Sequence, residues 1–332
     1  MSSHFFSWMR CLSLLASAAA VAIATSPATA DPFRPEGPRV IDPAAEAAFS
    51  ALFEQGDYRQ AEALLEEASE SEPITHAMQA TLAYLNEDWG TLGTEADQTL
   101  SSATQLLEQD PLRGHIYSAV GHFMEGAHAL STQDTVRATP LVLNKLRLVF
   151  DHFDQAAEIS PDDPELNLIR GYMDLILAVN LPFSSPDEAV DKFSRYGAPG
   201  YLVNRGLAIA HRDLNRYDEA VSAVNRALQQ TPENPDLFYL KAQILRLQGE
   251  LDESIFLFDQ ALQQQAQLPV SLANQIAWER CRASKEIDSS GPSCRNWVSR
   301  WRRQADRQAN RLAVPTNAAT EPATEPVTEE SL

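Results

Sequence analysis

Three arginines and a tyrosine in the second half of the chain have the chemistry and spacing of a recognition site. Arg205 and Arg212 are seven residues apart, as are Tyr239 and Arg246. Guanidinium forks take carboxylates through paired N–H groups, and a tyrosine adds contact area with little lost entropy. The set suits an acidic peptide; the competing expectation is that these arginines pair with acidic neighbours such as Asp213 and Asp236. His122, Glu125 and His128 follow at three-residue steps, and His115 lies seven before His122. Such steps turn a helix by about 300°, so His122 and His128 diverge by roughly 120° and packed or solvated histidines, with no metal site, are expected. Asp174 falls in an apolar run, where a buried carboxylate needs a partner, and Arg170 one helical turn earlier is the natural one. There is no Gly-x-Ser-x-Gly, His-Glu-x-x-His or phosphate loop. Nothing therefore points to catalysis, and no cofactor is expected.

The elements that must position these side chains recur. Asn215-Arg216-Tyr217-Asp218-Glu219-Ala220 is followed by Ala227-Leu228, and Gly249-Glu250-Leu251-Asp252-Glu253-Ser254 by Ala261-Leu262, every pair 34 residues apart. One helix pair of that length cannot bury its apolar face alone and must stack on neighbours. With Ala208, Ala220 and Pro232 as the small, second-helix and closing residues, this stretch resembles tetratricopeptide repeats; Ser254 and the missing proline near Gln265 depart from the pattern. The resemblance spans residues 42 to 265 and implies an all-α, right-handed superhelical solenoid of about five helix pairs with C-terminal capping helices. It also implies a concave groove lined by the first helix of each pair, where Arg205, Arg212, Tyr239 and Arg246 would face a peptide or helix. Segments 109–114 and 171–174 resemble exported cyanobacterial members of the family, which offer no catalytic residue to carry over.

Along the chain, Pro32, Pro35, Gly37 and Pro38 make residues 31–42 an extended lead-in without helical period. Gly56 occupies the register of Asn215 and Gly249, and all three suit the left-handed backbone of a helix stop. Trp89 takes the register of Tyr58. A polar break is expected from Ser131 to Pro140. Ser160-Pro161-Asp162-Asp163-Pro164-Glu165-Leu166 and Thr231-Pro232-Glu233-Asn234-Pro235-Asp236-Leu237 are nearly one linker and should mark equivalent joints, each with an N-cap, a first-turn proline and an acidic residue. The three residues by which their spacing exceeds two periods fall at Asn180 to Ser185, with Ser185 capping a new helix. The apolar helix from Pro164 to Val179 is expected to be buried.

Residues 1–30 read as a secretory signal, with Arg10, an apolar run from Leu12 to Ala24 and cleavage after Ala30. This places the chain in a periplasm or thylakoid lumen. There Cys281 and Cys294 are expected to form a structural disulfide. The formal charge of -20 disfavours nucleic acid. Segments 43–265 form the array, 266–312 the capping helices, and 313–332 a disordered acidic tail. Arg295, Arg300, Arg302, Arg303, Arg307 and Arg311, with Trp297 and Trp301, make the last helix a candidate for a membrane surface, though a cap over the solenoid core is the favoured role. The expected function is a non-catalytic exported module binding a protein or peptide. An envelope assembly factor at a membrane and a metal- or small-ligand-binding enzyme are the alternatives.

Overall fold

Short capping side chains and left-handed turn residues divide the chain into helices, and their apolar stripes pair them. The computed structural model describes residues 31–180 and 186–313, and contains no strand among them. Among the described residues fourteen α-helices pack in consecutive pairs. The first pair is α1 (Pro43–Phe49), running on through a π-helical turn at Ser50–Gln55, and α2 (Tyr58–Leu65). Next come α3 (Pro73–Leu85) with α4 (Trp89–Leu106), and α5 (Pro111–Thr132) with α6 (Thr135–Ile159). Then α7 (Pro164–Asn180) pairs with α8 (Pro186–Tyr196), α9 (Gly200–Asp213) with α10 (Tyr217–Gln230), and α11 (Pro235–Gln248) with α12 (Leu251–Gln263). A closing pair, α13 (Val270–Ile287) and α14 (Cys294–Ala313), completes the all-α solenoid. Six pairs thus precede the closing pair, one more than the periodicity suggests. The extra residues assigned to 180–185, with Ser185 as cap, fall mostly outside the described residues.

The turns follow from side-chain chemistry. Asp57, Asp88, Asp110 and Asp134 each accept a backbone N–H three residues on, satisfying orphan donors at a helix start. Gly56, Asn215 and Gly249 hold φ of 68°, 60° and 91° where the first helix of a pair stops. Glu87 takes φ 58° at the corresponding turn before Trp89, one residue after Asn86, where the register position itself is neither glycine nor asparagine. The expected break from Ser131 to Pro140 is a correction: only Gln133 and Asp134 interrupt the helices, and Pro140 lies inside α6. Asp134 caps the helix upstream of the proline, so one missing N–H is tolerated within the second turn.

The array closes on itself through the two near-identical joints. Asp163 accepts the Leu166 N–H at 3.0 Å as the cap of α7, and its carboxylate also takes Arg34 of the lead-in at 2.7 and 2.8 Å. Asn234 caps α11 through the Asp236 N–H, and its amide donates to the Phe53 and Glu54 carbonyls at 3.1 Å. Tyr58 N–H donates to the Gln267 carbonyl at 3.0 Å, and Ser271 Oγ to the Leu85 carbonyl at 2.9 Å. The first two pairs therefore meet α11 and the α12–α13 connection, and the lead-in is pinned rather than trailing.

Candidate functional site

That closure gives the inner face its shape. The first helix of each of the first five pairs contributes to one apolar cleft of about 310 Å³. Phe49 and Phe53 come from the first hairpin, Met78 from α3, Val120 from α5, Ile169 from α7 and Leu202 from α9. Phe33 of the lead-in forms one wall, with its ring 5.1 Å from that of Phe49. The mouth is open to solvent, since Phe123 on its rim is 37% exposed. Thr81, Phe123 and Met124 also line a second apolar cleft of about 430 Å³ between α3, α5 and α6. Apolar periodicity cannot distinguish a residue facing a neighbour from one facing a cavity. The recurrence of paired large side chains on first helices, such as Phe49 with Phe53 and Ile169 with Tyr172, was the available signal.

Beneath one wall lies a buried ionic cluster that the lead-in completes. Arg34 reaches Asp31 at 2.9 Å and Glu165 at 2.9 Å in addition to Asp163. Glu165 accepts the Tyr117 hydroxyl at 2.6 Å, and Arg113 stands 3.5 Å from it and 2.7 Å from Glu72. Burial pushes the Tyr117 phenol well up, as does the adjacent Glu165 carboxylate. Arg39 pairs with Asp110 at the start of α5. Burial pushes the Asp110 pKa up, but the hydrogen bonds from Arg39 and the Arg113 backbone, with the charges of both arginines, outweigh it and leave the pKa lowered. No sequence pattern announces Arg34, whose partners other than Asp31 lie about 130 residues on, at the start of α7.

The four residues singled out by type divide between two surroundings. Arg205 lines the cleft and contacts the Tyr172 hydroxyl. Burial works against its charge, but Tyr172, Asp236 and Tyr58 hold the guanidinium pKa above its usual value. Tyr58 donates to Asp236 beside it. Arg212, Tyr239 and Arg246 instead join a polar ladder across α9, α11 and α13. Arg212 donates to Asp213 and to Gln243, both at 2.8 Å. Gln243 and Tyr239 both donate to Glu279 of α13, the latter at 2.6 Å, and Arg246 Nε donates to Glu286 at 3.0 Å. Burial and then Glu279 push the Tyr239 phenol up. The ladder residues are half-buried or exposed, so their pairs meet solvent.

The histidines divide as their angular spacing implies, with His115 and His122 both facing His152 of α6 and His128 apart from them. His122 Nδ1 contacts Glu125 at 2.7 Å, while His128 packs on the Gly93 backbone. His115 meets His152 of α6, with the two Nδ1 atoms 3.1 Å apart. Among the described residues no group of three ligands is placed to hold a metal. Arg170 lies 4.0 Å from Asp174 and closer, at 3.1 Å, to Asp154 of α6, so the internal pair extends between repeats. Cys281 and Cys294 form a disulfide between α13 and α14. Trp297 and Trp301 are partly buried against the core, with Arg280 over the Trp297 ring at 5.2 Å. The described arginines of α14 at 295, 300, 302, 303 and 307 are exposed. No described helix is long and apolar enough to cross a membrane.

Comparison with known proteins agrees with this architecture. The tetratricopeptide repeat family model matches residues 46–111 and 205–269. Comparison with curated protein sequences finds no match. Among solved structures, the type IV pilus biogenesis factor PilW is 20% identical over 70% of this chain and 93% of its own, with a TM-score of 0.42. Yeast Tom70 is 14% identical over 71% of this chain and 53% of its own, with a TM-score of 0.43. The matched segments include the 34-residue copies and the first two hairpins, and across them the chain carries tetratricopeptide repeats.

Proposed function

We propose that this chain is an exported, non-catalytic interaction module that holds an acidic peptide or helix on the face of α9, α11 and α13. The observation that carries the reading is the ladder of Arg212, Gln243, Tyr239 and Arg246, which displays donors from successive first helices in a line. Arg212 and Arg246 are held by Asp213 and Glu286 at the solvent boundary. Exposed pairs of this kind contribute only about 0–1 kcal/mol, so a partner carboxylate can exchange for Glu286 at small cost. The intramolecular pairs meanwhile keep the side chains ordered, which lowers the entropy lost on binding. Tyr239 supplies a half-buried aromatic surface between the two guanidiniums.

The reading is tested by capture from an exported fraction using the chain beginning at Asp31, beside an Arg212→Ala/Arg246→Ala variant of unchanged helicity. A partner retained only by the unaltered chain, and released by a synthetic peptide copying its acidic segment, supports the reading. Equal capture by both chains removes it.

A further inference from the structure

The apolar cleft on the inner face contains one charged lining group, Arg205, which touches the Tyr172 hydroxyl and lies near Asp236 and Tyr58. Three of its lining residues carry hydroxyls, and each is already used. Thr81 donates to the Ala77 carbonyl at 2.8 Å, Tyr117 to Glu165 at 2.6 Å and Tyr172 to the Leu202 carbonyl at 2.6 Å. The fourth polar lining residue is Arg205. Asp236 is the carboxylate that acts on its guanidinium, and among the described residues no carboxylate comes within the 4.0 Å of a direct ion pair with it. This contrasts with Arg34, Arg113, Arg212 and Arg246, each of which has such a partner. A half-buried cation at the edge of an otherwise hydrocarbon cleft defines its complement: one anionic group attached to an apolar body with no further polar atoms.

We propose that the cleft binds a single-chain fatty carboxylate, with the carboxylate on Arg205 and the hydrocarbon tail among the aromatic and aliphatic side chains of α1, α3, α5 and α7. The size agrees. An apolar cavity of about 150 Å³ accommodates six-carbon benzene, so a cleft of about 310 Å³ corresponds to roughly twelve carbons. A polypeptide end is the poorer fit: its backbone N–H and C=O groups would enter a lining whose hydroxyls are committed, and an unpaired buried amide is costly. The inference is independent of the peptide reading, which rests on Arg212, Tyr239 and Arg246 farther along the ladder.

The test is calorimetric titration of the delipidated full-length mature chain with dodecanoate below its micellar concentration, beside dodecanol and a short peptide ending in a free leucine carboxylate. The expected result is one site per chain, with dodecanoate at least tenfold tighter than dodecanol. Arg205→Met should abolish that difference while retaining binding of the alcohol. Because Arg205 also neighbours Tyr58 and Asp236, a second variant, Thr81→Phe, narrows the mouth without touching the charge and should weaken both ligands at least tenfold with unchanged circular dichroism. Three results overturn the proposal: no saturable binding, equal affinity for acid and alcohol in the unaltered chain, or tighter binding of the peptide than of dodecanoate.

Discussion

Replacing Arg34 by methionine should loosen the N-terminal hairpin from the rest of the array. The guanidinium makes four close contacts, to Asp31, twice to Asp163 and to Glu165, with nitrogen–oxygen distances from 2.7 to 2.9 Å. Its side chain is 10% exposed and that of Glu165 is fully buried. Methionine keeps much of the packing volume but strands carboxylates whose burial the cation had offset. Breaking a buried ion pair from one side costs about 3–5 kcal/mol, since the orphaned charge cannot recover its hydration. Glu165 retains Arg113 and Tyr117, which favours the lower end. Repeat arrays open locally, so the loss should appear where Arg34 acts rather than uniformly. Amide hydrogen exchange is the assay: a change of about 3 kcal/mol lowers protection by roughly a hundredfold, expected in α1 and α2 and not in α11 and α12. Arg34→Lys keeps the charge but loses the fork geometry and should fall between the two. Protection in α1 and α2 within threefold of the unaltered chain would show that the lead-in does not hold the hairpin, and the reasoning would fail.

Three further outcomes are expected. Gly56→Ala should destabilise more than Gly249→Ala in urea titration: both residues have positive φ, costing about 1–2 kcal/mol for a side chain, but a Cβ at Gly56 would stand 2.7 Å from Pro235 Cδ whereas Gly249 faces open space. Equal losses would contradict the seating of the first hairpin on the second joint. Reduction of the Cys281–Cys294 disulfide, which spans 13 residues, should remove about 3 kcal/mol from the closing pair; unchanged proteolysis of α14 after reduction would contradict this. Burial lowers the pKa of His115, and burial with His115 and His122 nearby lowers that of His152, while Asp151 opposes. Glu125 and Lys145 complete the charged surroundings of His122. The unfolded chain then binds more protons, so their contribution is present above the ordinary histidine pKa and is lost as pH falls through the lowered folded values. His152→Asn should flatten stability against pH in that window, and an unchanged slope would refute the assignment.

Local chemistry made much of the fold legible and little of its closure. Helices, their aspartate caps and the left-handed Gly56, Asn215 and Gly249 follow from interactions spanning a few residues. Glu87 escaped notice because neighbouring structure imposes a backbone that its side chain does not favour. Pro140 was misleading for the opposite reason: a strong local breaker was overruled by a cap six residues before it. The two joints were recognisable as equivalent, yet their second use was not, since Arg34 meets Asp163 across 129 residues and Asn234 meets Phe53 across 181. Type and spacing pointed all four candidate recognition residues into one groove, whereas the ladder that holds Arg212, Tyr239 and Arg246 depends on Gln243, Glu279 and Glu286 across repeats. The same reasoning could not separate Arg205, because what distinguishes it is the hydrocarbon wall supplied by other repeats.

The closure also explains why one inner surface offers two chemistries. In an open array every first helix would present its inner face to solvent. Here Asp163 and Asn234 anchor the lead-in and the first hairpin across the later repeats, so Phe33, Phe49 and Phe53 cover the early inner face and leave an apolar cleft. The helices beyond that cover, α9 and α11, keep their polar donors facing α13. Helix α9 belongs to both regions, with Arg205 toward the hydrocarbon and Arg212 toward the ladder two turns on. The boundary between them is therefore set by how far the N-terminal segment reaches, which depends on Arg34 and Gly56 rather than on either arginine.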